Sequence, residues 1–255
     1  MKSVSRVVLI TGGGQGLGKG MAKAFLAAGD RVVIADRDDE AGRESEQAYA
    51  PLGPIRFVRA DVADEDSIRA LLEHVAGEYG RLDVLVNNAG MFESEYRSLE
   101  TYPVETWHAI LGVNLTGAFL CAKYAAPLLK RARGAIVNIA STRARMSEPG
   151  TFAYSASKGG LVALTHALAV SLGPEIRVNC ISPGWIEVSD WKKRSAHRAP
   201  ALRDVDHAQH PAGRVGRTED VANLALFLAD PDNGFVTGAD FTVDGGMTRK
   251  MIYAE

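Results

Sequence analysis

The chain has 255 residues, 46% of them hydrophobic and 24% charged, with a formal net charge of −2. That length supports a real core in one large α/β domain or two small ones, and near-neutrality gives no global pull toward nucleic acid or an anionic membrane, so neither is expected as a partner. Only two cysteines occur, Cys121 and Cys180, each inside an apolar stretch; they read as buried small hydrophobes, and no Cys/His spacing suits a metal.

Met1 leads straight into a strand-like segment with no separate signal-peptide core, and no run of roughly 18 apolar residues is present, so a cytoplasmic protein is expected.

In chain order, short segments rich in Val and Ile alternate with longer segments of helical spacing. The expected strands are Val4–Ile10, Arg31–Asp36, Ile55–Ala60, Leu82–Asn87, Gly134–Ala140, Arg177–Ser182 and Asp240–Val243. The expected helices are Leu17–Ala28, Asp39–Ala50, Asp64–Tyr79, Val104–Arg131, Tyr154–Leu172 and Thr218–Ala229. Such alternation implies an α/β, Rossmann-like, doubly wound sheet of seven mainly parallel strands with helices on both faces. Neither a repeat nor a linker interrupts it, so residues 1–255 read as a single dinucleotide-binding and catalytic domain.

The first strand ends in Thr11-Gly12-Gly13-Gly14-Gln15-Gly16-Leu17-Gly18, and a helix follows. Glycines there let the chain turn sharply and bring backbone N–H groups against a pyrophosphate at the helix N-terminus. The frame is GxxxGxG on Gly12, Gly16 and Gly18, not GxGxxG. A near-match to a triphosphate loop, Gly13 through Lys19, fails where Gly20 replaces the Ser or Thr that would hold Mg²⁺.

Asp36 closes the second strand, where a carboxylate accepts hydrogen bonds from ribose hydroxyls and repels an added 2′-phosphate. NAD is therefore expected; Arg37, the next residue, keeps NADP open because a guanidinium binds phosphate. Asp61-Val62 and Asn87-Asn88-Ala89-Gly90 end the third and fourth strands on the same sheet edge, where small and amide side chains let an adenine and its ribose approach.

Tyr154 and Lys158 stand at i and i+4 near a helix start, so both project from one face, and a neighbouring ammonium is expected to lower the tyrosine pKa. Ser141 follows the fifth strand on the carboxyl edge, where its hydroxyl can bond a substrate oxygen. Between the sixth strand and the last helix, Glu187–Arg214 carries Lys192, Lys193, Arg194, His197, Arg198, Arg203, His207 and His210. A long polar insertion at a strand's carboxyl end is a candidate substrate lid, with a solvated surface excursion as the plain alternative.

These motifs, with Asn114, Asn179, Pro183-Gly184 and Val243-Asp244-Gly245-Gly246, resemble the short-chain dehydrogenase/reductase superfamily in its compact form of about 250 residues. The resemblance implies a tetrad of Asn114, Ser141, Tyr154 and Lys158. Tyr154 would exchange the proton and Ser141 polarise the substrate oxygen. Lys158 would hold the nicotinamide ribose, and Asn114 a relay water. It implies a cofactor site of Gly12, Gln15, Gly16, Leu17, Gly18, Asp36, Arg37, Asp61, Val62, Asn88, Ala89, Gly90, Tyr154 and Lys158, completed near the nicotinamide by Pro183, Gly184 and Ile186. Val188 stands where members often have a carboxamide-binding Thr, leaving backbone groups or Ser189 for that task.

The resemblance further implies a homotetramer or homodimer through the two longest helices. The apolar tail Met247–Glu255, with Met251, Ile252 and Tyr253, is expected to pack on a neighbouring subunit.

The function expected is hydride transfer between a nicotinamide cofactor and a small alcohol or ketone. Arg143, Arg145 and the basic insertion leave an anionic substrate open, beside the alternative that these residues point outward. An NADPH-dependent 3-oxoacyl-thioester reductase and a catalytically silent dinucleotide-sensing protein are the competing readings.

Overall fold

A computed structural model describes residues 5–93 and 95–251. Its seven strands are β1 (Val7–Thr11), β2 (Arg31–Asp36), β3 (Ile55–Arg59), β4 (Val84–Asn87), β5 (Ala135–Ile139), β6 (Arg177–Pro183) and β7 (Asp240–Val243). All pair in parallel, in the order β3-β2-β1-β4-β5-β6-β7. The chain starts mid-sheet and winds outward both ways, so the strand order reverses between β1 and β4. A crevice opens at such a switch point, outside the strands' carboxyl ends.

Both faces of the sheet are covered, which is why its central strands are almost continuously apolar. Successive side chains alternate: Val7 and Leu9 of β1 join one core, Val8 and Ile10 the other. The first core takes Ile68, Leu71 and Val75 of α3 (Glu65–Tyr79), with Leu120, Cys121 and Leu129 of a later helix, Gly117–Ala132. The second takes Met21 and Phe25 of α1 (Gly16–Ala27) with Val221 and Leu228 of the Thr218–Ala229 helix. Each such fully buried side chain contributes roughly 1.5–3 kcal/mol. Cys121 and Cys180 are buried free thiols.

The remaining helices are α2 (Asp39–Tyr49), α4 (Val104–Leu111), α5 (Gly117–Ala132), α6 (Phe152–Leu172), α7 (Asp204–Ala208) and α8 (Thr218–Ala229). Three expectations need correction. The helix expected over Val104–Arg131 is interrupted by a π turn at Gly112–Thr116, where the Gly117 N–H reaches back to Gly112 O. Gly117 sits there because a Cβ would lie 2.7 Å from Val62 O. By length and composition the combined Val104–Ala132 helix could cross a bilayer, against the expectation that no segment could; Leu120, Cys121, Ala125 and Leu129 instead bury one face in the core. The basic insertion is not plain loop either, since it contains α7 and two 3-10 turns, Ser189–Trp191 and Arg194–Ala196.

The first strand was expected from Val4, which lies outside the described residues, as do Ile252 and Tyr253 of the tail. Met247–Arg249 forms one 3-10 turn, and Met251 is exposed.

Candidate active site

The loop between β1 and α1 is held by a set of short hydrogen bonds. Thr11 Oγ1, at the end of β1, accepts the backbone N–H groups of Asn88 (3.0 Å) and Ala89 (3.1 Å). The Asn88 amide donates to the carbonyls of Thr11 (2.9 Å) and Gly12 (3.1 Å). The β1 and β4 ends are thereby locked together across the switch point. Gly12 has φ +63°, and a Cβ on it would lie 2.9 Å from Ala89 Cα; one on Gly18 would lie 2.1 Å from Gly12 O. The loop therefore closes only with glycine at both places.

Asp36 is bound into the same loop. Its carboxylate accepts the N–H of Gly14 and of Asp38, both at 3.0 Å, while burial pushes its pKa up. It is thus an anchor of the glycine loop as well as a group facing the crevice. Lys19, the lysine of the triphosphate-like match, turns away to sit 5.9 Å from the Tyr49 ring centroid.

A cleft of about 370 Å³ runs over this edge. Gly12, Gln15, Gly16, Leu17, Asp36, Arg37, Asp61, Val62, Asn88, Ala89, Gly90, Tyr154 and Lys158 all line it, so most of the residues expected around a cofactor are brought together. Gly18 packs beneath the loop. Pro183, Gly184 and Ile186 are not part of the wall. The Gly184 N–H is spent on Val243 O, and Ile186 bridges to Gly216; from this strand end Val188 and Lys192 reach the cleft instead. The Ser189 N–H is taken by Glu187 Oε1 at 2.6 Å.

A dinucleotide fits what the cleft offers. Gln15 makes no side-chain cap on α1, and the helix's first turn carries no acidic residue. A Cβ on Gly16 would meet open space. Uncapped amides at a helix N-terminus, opening onto a cavity, suit a phosphate group.

At the other end lie Asn114, Ser141, Tyr154 and Lys158. A Cβ on Gly90 would lie 3.7 Å from both Asn114 Oδ1 and Lys158 Nζ, so the first and last of these converge there. Lys158 is buried and donates to Ile139 O at 2.7 Å; burial lowers its pKa to about 8. Its ammonium stands 5.6 Å from the Tyr154 ring centroid.

Burial and the charge of Glu93 push the Tyr154 phenol up, while a hydrogen bond with Ser141 and the charge of Arg143 pull it down, and the net displacement is upward. The expectation that a neighbouring ammonium lowers this pKa is thus not met here. Desolvation of the phenol dominates.

Asn114 is committed too. Its Oδ1 accepts Met91 N–H (2.7 Å), and its Nδ2 donates to Met91 O (2.8 Å) and to Ser157 Oγ (2.9 Å), which itself donates to Tyr154 O at 2.7 Å.

The sequence reading missed three participants: Thr11, Ser157 and Glu93. Buried Glu93 accepts the Tyr154 N–H (3.0 Å) and the Tyr102 hydroxyl (2.9 Å), capping the start of α6. Thr11 was detectable as a hydroxyl at a strand end, whereas Glu93 and Ser157 carry no local signal.

A family model described as Enoyl-(Acyl carrier protein) reductase matches residues 12–248. An uncharacterized oxidoreductase of Thermotoga maritima is 53% identical over 254 residues, covering 98% of each chain. The 2-(R)-hydroxypropyl-CoM dehydrogenase of Xanthobacter autotrophicus is 39% identical, covering 96% of this chain and 99% of that one. Among solved structures, an apo SCOR enzyme from Clostridium thermocellum superposes with a TM-score of 0.85 at 39% identity, over 98% of this chain and 96% of the other. Sheet order, glycine loop and these matches agree: the chain belongs to the short-chain dehydrogenase/reductase family of NAD(P)-dependent oxidoreductases acting on CH–OH groups.

Proposed function

We propose that the chain interconverts a small secondary alcohol and its ketone, using NAD. One observation carries the reading: Tyr154 and Lys158 line the same cleft as the glycine loop and Asp36. When bound, the nicotinamide supplies or accepts the hydride. The chain's own residues handle the proton and the oxygen. Tyr154 Oη exchanges the proton with the substrate oxygen, and Ser141 Oγ hydrogen-bonds that oxygen. Lys158 orients the ribose, and Asn114 fixes the π turn beneath them.

Asp36 favours NAD, because a buried carboxylate repels a 2′-phosphate. Arg37, exposed and at the cleft, supports the second reading, an NADPH-dependent 3-oxoacyl-thioester reductase. Fluorescence titration with NADH and NADPH in parallel decides between them. NADH is expected to bind at least tenfold tighter; the reverse order would transfer selection to Arg37, and binding of neither would refute the assignment.

An anionic substrate has less support than the sequence offered. Arg143 is paired with Glu148, and Arg145 lies 2.9 Å from Asp240 Oδ2, so both guanidiniums are neutralised within the chain. We place the activity in the cytosol, where buried free thiols such as Cys121 and Cys180 stay reduced, and treat residues 187–214 as a lid on a single domain.

A homotetramer or homodimer through α5 and α6 is supported by a groove of about 550 Å³ between them, lined by Leu115, Phe119, Ala163 and Leu164, and by Val170, 85% exposed on α6. Light scattering is expected to give a dimer or tetramer mass, and a monomer would remove this part of the reading.

A further inference from the structure

The basic segment after β6 does not simply overhang the chemistry end of the cleft. Its first part crosses to the β2 side and is pinned there. Lys193 Nζ lies 2.8 Å from Asp38 Oδ2 and 2.8 Å from Glu40 Oε2. The Arg194 N–H donates to Glu44 Oε2 at 2.9 Å, and Lys23 Nζ stands 5.8 Å from the Trp191 ring centroid. Glu40 and Glu44 belong to α2, Asp38 caps it, and Lys23 belongs to α1. Residues 191–194 therefore form a strap tied to both helices that flank the glycine loop.

Between the anchors Trp191 and Lys193 sits Lys192. It is half-buried and lines the cleft together with Gly12, Gln15, Gly16 and Leu17. Among the described residues no carboxylate, carbonyl or ring engages its ammonium. Its neighbours on the strap are both committed, whereas Lys192 lines the cleft with no partner among the described residues.

A bound diphosphate needs a cation. A dinucleotide's diphosphate carries two negative charges, and the uncapped N-terminus of α1 offers the equivalent of about half a positive one. Lys158, buried beside Tyr154 and donating to Ile139 O, serves the ribose in the reading above and leaves the diphosphate to another cation.

We propose that Lys192 is the strap's contact with the diphosphate of the bound dinucleotide, so that the segment after β6 closes over the cofactor as well as over the substrate. This rests on the dinucleotide-binding reading above and adds to it a residue and a ligand group. Because Trp191 and Lys193 are already anchored, placing the ammonium costs little further conformational freedom, and the charge-assisted contact is retained in the bound state.

The test compares the affinities of NADH, ADP, adenosine and 2′,5′-ADP for the wild type, Lys192→Gln and Lys192→Arg. Lys192→Gln is expected to weaken NADH and ADP about tenfold, the scale of one charged phosphate contact, and to leave adenosine within about twofold. Lys192→Arg is expected to restore most of the loss.

Equal losses for adenosine and ADP would mean that the residue only packs the strap, and would overturn the proposal. So would a loss confined to 2′,5′-ADP, which would make Lys192 a reader of the 2′-phosphate, or no loss at all. A wild type that binds neither NADH nor ADP would be a different failure: it would bring down the dinucleotide reading itself.

Discussion

Tyr154→Phe is expected to lower kcat about a thousandfold in either direction while leaving the affinity for NADH within about twofold. Phenylalanine keeps the ring that lies over the Lys158 ammonium at 5.6 Å, so the packing of α6 and the cleft wall persist. What disappears is the only proton that burial, Ser141, Arg143 and Glu93 jointly tune.

The direction of that tuning gives the pH dependence. Because burial wins, the folded-state pKa stands above the ordinary tyrosine value, and the phenol keeps its proton at neutral pH. Ketone reduction, which needs the acid form, is therefore ready at neutrality. Alcohol oxidation, which needs the phenolate, should gain rate as pH rises. Lys158 loses its proton near 8 and lies beside the ring, so the alkaline limb belongs to the pair, not to Tyr154 alone. Stopped-flow measurement of hydride transfer, with NADH binding measured separately, checks the prediction. A variant retaining a tenth of wild-type kcat would remove Tyr154 from the proton path.

The parts of this molecule that could be read from its sequence are those whose physics is local. The central strands were visible because burial on both faces forces runs such as Val7–Ile10 and Val84–Val86 to be apolar. The glycine loop was visible because Gly12 and Gly18 admit no Cβ. Lys158 and Tyr154 were visible because one helical turn separates them.

What stayed hidden depends on partners far along the chain. Glu93 meets the Tyr154 amide across 61 positions, and nothing in its own neighbourhood announces a helix cap. Whether the basic segment, Arg143 and Arg145 formed a cationic mouth or pointed outward stayed open, because pairing cannot be seen in sequence. In the fold, Lys193 and Arg145 are answered by Asp38, Glu40 and Asp240. The π turn at Gly112–Thr116 and the close approach of Gly117 to Val62 beside it are features that helical periodicity does not encode.

Lys158→Met is expected to abolish activity and yet raise the melting temperature by a few degrees. The wild-type ammonium is buried, and its pKa falls from 10.5 to about 8. At neutral pH, holding that charge inside the fold costs about 3 kcal/mol relative to the unfolded chain, where the amine titrates normally. Methionine fills a similar volume without the charge. The loss of the bond to Ile139 O returns about 1–2 kcal/mol of that gain. The remaining 1–2 kcal/mol corresponds to about 2–8 °C in a chain of this size.

The pH dependence separates this cause from better packing. Below about 8 both folded and unfolded wild type carry the proton, and the destabilisation is present in full. Between about 8 and 10.5 the folded state loses the proton first, so wild-type stability rises with pH relative to the variant. The difference in melting temperature should therefore shrink as pH is raised from 7.5 toward 10. A gap that stays constant over that range would assign the gain to packing; a variant less stable than wild type at pH 7 would show that the ammonium's contacts outweigh its desolvation. Either result would contradict the view that Lys158 is kept at a cost to the fold for the sake of the chemistry beside Tyr154.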